Sequence, residues 1–290
     1  MKLHLQALEI NKKVEDKFDL SQTYSNVGQN YRALGNNTEA LKNYEMGLQI
    51  GNELFNQARS SSNISGMWSL YSILYPLISL YLENNNIIQA KNYLQQLEEI
   101  DKYLQTQGRG DVVLSLNIRM AKAKIMKFSP RLTEKAAAQQ IFQEIIAGKT
   151  IFHNYTLEAM FHLCDLYLDE LRLSGEKIIL KEVKNLLNQV YEIGQTQSRF
   201  PVIIESLILQ AKLSLLEGEI DRANGLLVQA LLLTEEKGLN FLQKKVESEQ
   251  KNLEQQLEKW KTLYEKNTPI YELIQKTKID SYLKEARKLI

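Results

Sequence analysis

Cysteine, proline and glycine are all scarce in this chain of 290 residues. Its single cysteine excludes an internal disulfide framework and a zinc cluster built from cysteines. Glycine and proline number 13 and 4, which together is about half of ordinary usage. So few helix breakers leave little room for hairpins, phosphate-binding glycine loops or a β-sandwich. The composition therefore favours an all-α protein.

An excess of charge of one sign and long apolar runs are also lacking. The 36 basic and 35 acidic residues leave a net charge of +1, which excludes general attraction to a polyanion such as nucleic acid. No run approaches the roughly 18 apolar residues that a membrane span needs. Lys2, His4 and Glu9 interrupt the first residues, which therefore lack the pattern of a secretory signal peptide. We expect a cytoplasmic protein that binds neither membranes nor nucleic acid.

Small and aromatic residues between positions 21 and 54 recur at helical spacing on both sides of a turn centred on Gly35. This pattern predicts two antiparallel helices joined by that turn. The small side chains at Gly28, Ala40 and Gly47 would let the two helix backbones approach closely. The full pattern consists of Tyr24, Val27, Gly28, Tyr31, Gly35, Ala40, Tyr44 and Gly47.

This spacing resembles the tetratricopeptide repeat, whose units are helix hairpins of about 34 residues. The large, small, tyrosine, glycine, alanine and aromatic positions of that family are occupied here by Tyr24, Gly28, Tyr31, Gly35, Ala40 and Tyr44. Gly47 departs from the pattern because the family usually has alanine there. The resemblance implies a right-handed superhelical α-solenoid of antiparallel helix hairpins.

Four weaker units follow, and their small-residue column is identified by Gly28, Ile78, Ala121, Cys164 and Ala211. The column advances in steps of 50, 43, 43 and 47 residues, so helices and loops longer than those of the minimal repeat are expected. Residues 1–18 resemble the second helix of a unit, and we interpret residues 1–238 as this half repeat followed by about five hairpins. In the second unit, Pro76 is expected to kink or break an apolar helix.

The C-terminal part of the chain has a different pattern. Leu239, Val246, Leu253 and Trp260 recur every seven residues in an otherwise polar stretch. This seam predicts one long amphipathic helix over residues 239–267. We interpret it as the cap that a solenoid needs at its end, with a homodimer through this helix as the alternative. Residues 268–290 are predicted to form a short helical tail for docking or partner binding.

The chain lacks a residue pattern typical of catalysis. Cys164 stands in the small-residue column, which favours close helix packing over a role as a nucleophile. His162 lies two positions away on a different side of the helix, so the two make a poor metal pair. The acidic pairs Glu98–Glu99 and Glu235–Glu236 lie in charged contexts and are expected to be solvated. We therefore expect no enzymatic activity, no metal site and no cofactor.

The family resemblance also implies where a partner would bind. In tetratricopeptide proteins the first helices of the hairpins line a concave groove that holds a peptide or protein segment. The matching positions in this chain are mostly polar, with Tyr75 and Phe161 as apolar anchors. They are Gln22, Ser25, Gln29, Arg32, Ser72, Tyr75, Ser79, Glu158, Phe161, Asp165, Glu205 and Lys212, with Lys122 as the estimate for the degenerate third unit.

These observations lead to one functional hypothesis and an alternative. The hypothesis is a non-enzymatic protein–protein interaction scaffold that binds a peptide or protein partner in the concave groove of a tetratricopeptide superhelix. The alternative is a sensor or regulatory domain of a larger transcriptional or signalling protein, which the half repeat at the start suggests. The full-length gene context would separate the two.

Overall fold

The computed structural model describes residues 2–14, 16–61, 65–148 and 153–289. These residues form fifteen α-helices and no β-strand, which confirms the expected all-α class. The helices are α1 (Lys2–Val14), α2 (Lys17–Ala33), α3 (Asn37–Ser61), α4 (Ser65–Glu83), α5 (Ile87–Thr106), α6 (Val112–Lys127), α7 (Leu132–Ala147), α8 (His153–Ser174), α9 (Lys177–Thr196), α10 (Phe200–Leu216), α11 (Ile220–Glu236), α12 (Asn240–Gln255), α13 (Leu257–Glu265), α14 (Ile270–Thr277) and α15 (Ile279–Arg287).

The chain divides into two compact units, Met1–Ile141 and Phe142–Ile290. In unit 1 each helix from α1 to α6 packs on the next, and α4 also contacts α2 and α6. In unit 2 the helices from α8 to α13 pack in chain order, with α9 between α8 and α10. The last two helices, α14 and α15, both contact α8 and α10. Each unit is therefore assembled mainly from helices that are neighbours in the sequence.

Small residues set the packing of α2 on α3. A Cβ atom added to Gly28 would lie 2.7 Å from the ring of Tyr44, whose side chain is completely buried. One added to Gly47 would lie 3.2 Å from a carbonyl oxygen of α2. Lys17 pairs with Glu53 at 2.8 Å across the same interface. Positions late in α3 thus contact positions early in α2, and the two helix backbones approach too closely for a larger residue at position 28.

The predicted small-residue column is buried at all five positions. Gly28 lies against the ring of Tyr44. At the other four positions, Ile78, Ala121 and Cys164 are 0% exposed and Ala211 is 2% exposed. Burial of an apolar side chain removes its surface from water and stabilises the fold. The sequence pattern therefore identified the inward side of α2, α4, α6, α8 and α10.

Pro76 lies inside α4, and the helix is continuous from Ser65 to Glu83 rather than broken at the proline. A proline has no backbone N–H, so it leaves the carbonyl group four residues earlier, at Ser72, without its helical donor. The Ser25 hydroxyl group of α2 donates to that carbonyl oxygen at 3.4 Å. The neighbouring helix therefore supplies a replacement for the bond that the proline removes.

The same type of turn ends several helices. Gly35 follows α2 with a φ angle of +76°, and the N–H group of Asn36 donates to the Tyr31 carbonyl oxygen at 2.9 Å. After α4, Asn85 adopts the same left-handed conformation with a φ angle of 57°. The N–H group of the next residue, Asn86, again donates to the carbonyl oxygen five residues earlier, that of Tyr81, at 2.8 Å. This is a helix C-terminal cap that asparagine tolerates better than most residues other than glycine, so the turn recurs where the glycine does not.

Replacing Ser198 by glycine is expected to raise the free energy of unfolding. Ser198 is exposed and occupies the turn after α9 with a φ angle of 54°, a conformation in which a Cβ atom is strained. After allowance for the conformational entropy of glycine, the gain should be about 0.5–1 kcal/mol, measured as a higher Tm. Ser198→Ala is the matched control because it retains the Cβ atom. An equal gain from alanine would show that backbone strain is not the cause.

The predicted helix over residues 239–267 is two helices, because α12 ends at Gln255 and α13 begins at Leu257. No glycine or proline marks this boundary in the sequence, so the apolar seam alone did not reveal it. The seam residues Val246, Leu253 and Trp260 are nevertheless 0%, 6% and 4% exposed. Their apolar surfaces are therefore buried by the chain itself.

Candidate functional site

In unit 1 the predicted groove residues of α2 lie directly beside those of α4. The Gln22 Nε2 atom donates to the Ser72 hydroxyl oxygen at 2.9 Å. Near the other ends of the two helices, the Arg32 guanidinium group binds both carboxylate oxygens of Glu83, at distances from 2.5 to 3.2 Å. The paired positions are 50 and 51 residues apart, which matches the step from the first to the second repeat. The helices α2 and α4 therefore pack side by side, and residues near the start of one contact residues near the start of the other.

Between α4 and α6 a buried lysine forms the next contact. Lys124 is 4% exposed, and its ammonium group donates to the Ser79 hydroxyl oxygen at 2.5 Å. The same group lies 4.7 Å from the centre of the Tyr75 ring, close enough for a cation–π interaction. The sequence predicted Lys122 as the groove residue of the third repeat. Lys122 instead pairs with Glu98 of α5 at 2.6 Å. The distance of 45 residues from Ser79 to Lys124 is the only signal that relates the two.

These contacts decide which predicted residues of unit 1 are accessible. Ser25 and Ser79 are 2% and 3% exposed and take part in helix packing. Gln29 is exposed, and four others are half-buried. We call the accessible set the α2–α4 surface, and it consists of Gln22, Gln29, Arg32, Ser72 and Tyr75.

The α2–α4 surface carries little net charge. Its only charged residue, Arg32, is matched by the carboxylate of Glu83 at 2.5 Å. The remaining groups are two side-chain amides, a hydroxyl group and the Tyr75 ring. Amides and hydroxyl groups can both donate and accept hydrogen bonds, so this surface is suited to neutral polar groups such as a peptide backbone.

In unit 2 the predicted groove residues of α8 lie under the chain's own C-terminal helices. The Arg287 guanidinium group of α15 donates to the Asp165 carboxylate at 2.7 Å. Phe161 is 1% exposed and Glu158 is half-buried. His162 stacks on Phe142 with ring centres 5.4 Å apart. The tail that was predicted to dock or to bind a partner therefore docks within unit 2, on the helices proposed to form the groove.

The predicted groove residues of α10 are engaged by α12. Lys245 donates to the Glu205 carboxylate at 2.6 Å, and Lys212 donates to the Glu249 carboxylate at 2.7 Å. Tyr282 of α15 donates its hydroxyl hydrogen to the second oxygen of Glu249, and its ring centre lies 3.8 Å from the Lys212 ammonium nitrogen. Sequence reasoning missed Lys245, Glu249 and Tyr282 because no local pattern relates helices so distant in the chain.

Burial changes the acid–base behaviour of this charged cluster. Glu205 is 2% exposed, and its desolvation raises the pKa of the carboxyl group, while the charge of Lys245 opposes that shift. Desolvation likewise lowers the pKa of Lys212, and Glu249 opposes it. The second carboxylate oxygen of Glu205 has no hydrogen-bond partner within the described ranges. The ion pairs therefore offset part of the desolvation cost of keeping Glu205 and Lys212 charged.

Cys164 is completely buried in α8. The residues that the structure describes contain no group of three histidine, cysteine, aspartate or glutamate side chains placed to hold a metal ion. Over the same ranges, no helix combines the length and the apolar character that crossing a membrane requires.

Comparison with protein-family models finds no match for this chain. Comparison with curated proteins also finds no match. The functional interpretation therefore rests on the residues and on their geometry.

Proposed function

We propose that this protein is a non-enzymatic interaction scaffold of the tetratricopeptide type, which binds a peptide or protein segment on the α2–α4 surface. The observation that carries the proposal is the side-by-side pairing of α2 and α4 at a step of one repeat, through Gln22–Ser72 and Arg32–Glu83. Aligned first helices are what produce a continuous binding surface in such arrays.

The packing of α2 on α3 supports antiparallel hairpins, which the proposal requires. Lys17 at the start of α2 contacts Glu53, and Gly28 later in α2 contacts Tyr44. Later positions in α2 thus contact earlier positions in α3, as expected for two helices that run in opposite directions. The recurrent turn after α2 and α4 supports the same conclusion, because it ends both first helices with a left-handed residue. A right-handed superhelix belongs to the proposal as the arrangement that repeated hairpins of this family adopt.

The chemistry of the α2–α4 surface indicates an uncharged, extended segment as the ligand. The Gln29 amide and the side-chain carbonyl oxygen of Gln22 present a donor and acceptors that match a peptide backbone. The Gln22 Nε2 atom and the Ser72 hydroxyl hydrogen are already engaged by Ser72 and by the Ser69 carbonyl oxygen. The Tyr75 ring offers an apolar surface for one side chain of the partner. In unit 2 the equivalent helices are covered by α14 and α15, so the proposed site is confined to unit 1.

The test uses peptides selected by display for binding to the full chain. Replacing both Gln22 and Gln29 by alanine should weaken binding of these peptides by about tenfold, because two hydrogen bonds of about 0.5–1.5 kcal/mol are lost. The matched control replaces Gln49 and Gln95 by alanine, since both are exposed glutamines on the second helices α3 and α5. The control should change the Kd by less than about twofold.

Isothermal titration calorimetry of both double variants gives the comparison. Equal affinities for the two variants would place the binding site away from the α2–α4 surface. Circular dichroism spectra of both proteins should match that of the parent, because all four glutamines lie at partly or fully exposed positions.

A further inference from the structure

Unit 2 contains a cavity of about 170 Å³, open to solvent on one side, between α10, α11, α12, α13 and the C-terminal helices. Its volume is close to that of an engineered cavity of about 150 Å³ that accommodates benzene. The cavity therefore has room for a molecule with an apolar body of one small ring or a short branched chain. The residues that line it are Ile208, Ala211, Lys212, Leu215, Ala223, Leu227, Glu249, Asn252, Leu253, Gln256, Trp260, Lys276, Thr277, Lys278 and Tyr282.

One side of the cavity is apolar and formed by well-buried side chains. Leu227, Leu253 and Trp260 are 4%, 6% and 4% exposed. Ala211 and Ala223 belong to the same lining and are 2% and 0% exposed. An apolar wall with an aromatic ring is typical of small-molecule pockets.

The other side carries more positive than negative charge. Lys212 is matched by Glu249 at 2.7 Å, whereas Lys276 and Lys278 form no ion pair with the residues that the structure describes. The amides of Asn252 and Gln256 add neutral donors to the same lining. The cavity thus combines an apolar wall with two solvent-exposed lysines at its opening, which can pair with an anion that enters it.

The backbone at Lys278 places this residue at the junction of the two C-terminal helices. Lys278 joins α14 to α15 in the left-handed conformation, with a φ angle of 53°. A lysine is strained there, and glycine or asparagine would be easier to accommodate. The strained residue is one of the two lysines that line the cavity without a carboxylate partner.

We propose that this cavity binds a small carboxylate with an apolar body of about six to ten non-hydrogen atoms. The carboxylate would lie at Lys276 and Lys278, with the amides of Asn252 and Gln256 as further donors. The apolar body would lie against Trp260 and the leucines. This site is separate from the α2–α4 surface and does not depend on the proposed function.

Trp260 provides the readout. The chain contains two tryptophans, so the full chain carrying Trp68→Phe reports on Trp260 alone. Trp68 is 46% exposed in unit 1, and its replacement should leave unit 2 intact. Benzoate is the probe and neutral benzamide its isosteric control. We expect saturable quenching of Trp260 by benzoate, with affinity at least about tenfold higher than that for benzamide, because only benzoate carries a charge that can pair with Lys276 and Lys278.

Charge variants locate the carboxylate. In this background Lys276→Gln combined with Lys278→Gln should weaken benzoate binding by at least about tenfold. Lys244→Gln combined with Lys284→Gln is the matched control, because both lysines are exposed in unit 2 and neither lines the cavity. This control should alter the affinity by less than about twofold.

A cavity-filling variant locates the apolar body. Ala223→Leu adds a side chain to the lining and should abolish the benzoate response, with folding checked by circular dichroism. Three results would each overturn the proposal: no saturable benzoate response, equal affinities for the two lysine variants, or unchanged binding by a folded Ala223→Leu protein. An equal response to inorganic phosphate would overturn the role of the apolar wall. The lysine variants decide the question even if Ala223→Leu does not fold.

Discussion

Replacing Gly28 by alanine is expected to lower the free energy of unfolding by about 1–3 kcal/mol. The new Cβ atom would lie 2.7 Å from two ring carbons of Tyr44, a distance that real Cβ atoms almost never show. The Tyr44 ring is 0% exposed, so it has no solvent-filled space into which it can move. Alanine favours a helix by about 1 kcal/mol over glycine, and the steric effect must exceed that gain.

Gly225 is the matched control for this substitution. It lies inside α11, is exposed, and an added Cβ atom would meet nothing within 4 Å. Gly225→Ala should therefore raise stability by about 0.5–1 kcal/mol through helix propensity alone. Urea unfolding followed by circular dichroism measures both changes. A stabilising Gly28→Ala variant would show that α2 and α3 do not approach as closely at this position as the structure indicates.

Replacing Lys245 by methionine is expected to cost about 3 kcal/mol at neutral pH, because it leaves a buried carboxylate without its partner. Glu205 is 2% exposed, and its only ion-pair partner among the described residues is Lys245 at 2.6 Å. A second substitution, Glu205→Met, removes the remaining charge. The double variant should return to within about 1 kcal/mol of the parent, because an apolar pair can replace a buried ion pair.

The cost of Lys245→Met should depend on pH in a defined direction. Desolvation raises the pKa of Glu205 above its ordinary value of 4.5, and Lys245 lowers it. Removing Lys245 therefore raises the folded-state pKa further, so the folded protein binds a proton more tightly than the unfolded chain. Stability of the variant is retained below the unfolded pKa and falls as the pH rises through the folded pKa. Denaturation at pH 4.5 and pH 7 tests this: an equal cost at both values would mean that Glu205 is not the source.

Much of the local structure of the chain is predictable from the sequence. The Gly35 turn and the close approach at Gly28 follow from residue size and backbone freedom, which are properties of single positions. The buried column from Gly28 to Ala211 follows from helical periodicity, because a helix that packs on one side must repeat its apolar residues. These features depend on neighbours within one helix or two consecutive helices, a stretch short enough for its pattern to be recognised.

The features that the sequence did not predict depend on distant partners. Arg32 was assigned to an open groove, yet its charge is matched by Glu83 on the next first helix. Asp165 was assigned likewise, and Arg287 covers it from 122 residues away. A charged residue on a helix has the same local pattern whether it meets solvent, a partner or another segment of its own chain. Only the three-dimensional arrangement distinguishes these outcomes.

The carbonyl group that Pro76 frees at Ser72 has a consequence for folding fidelity. Chains built from similar hairpins can mispair during folding, because one unit can stack on the wrong neighbour. Ser72 accepts from Ser25 through its carbonyl oxygen and from Gln22 through its hydroxyl oxygen. A displaced neighbour would leave that partly buried carbonyl oxygen without its donor from α2, at a cost of about 0.5–1.5 kcal/mol. The proline thus makes the contact between α4 and α2 more specific, because the Ser72 carbonyl oxygen needs a neighbour with a donor at the position of Ser25.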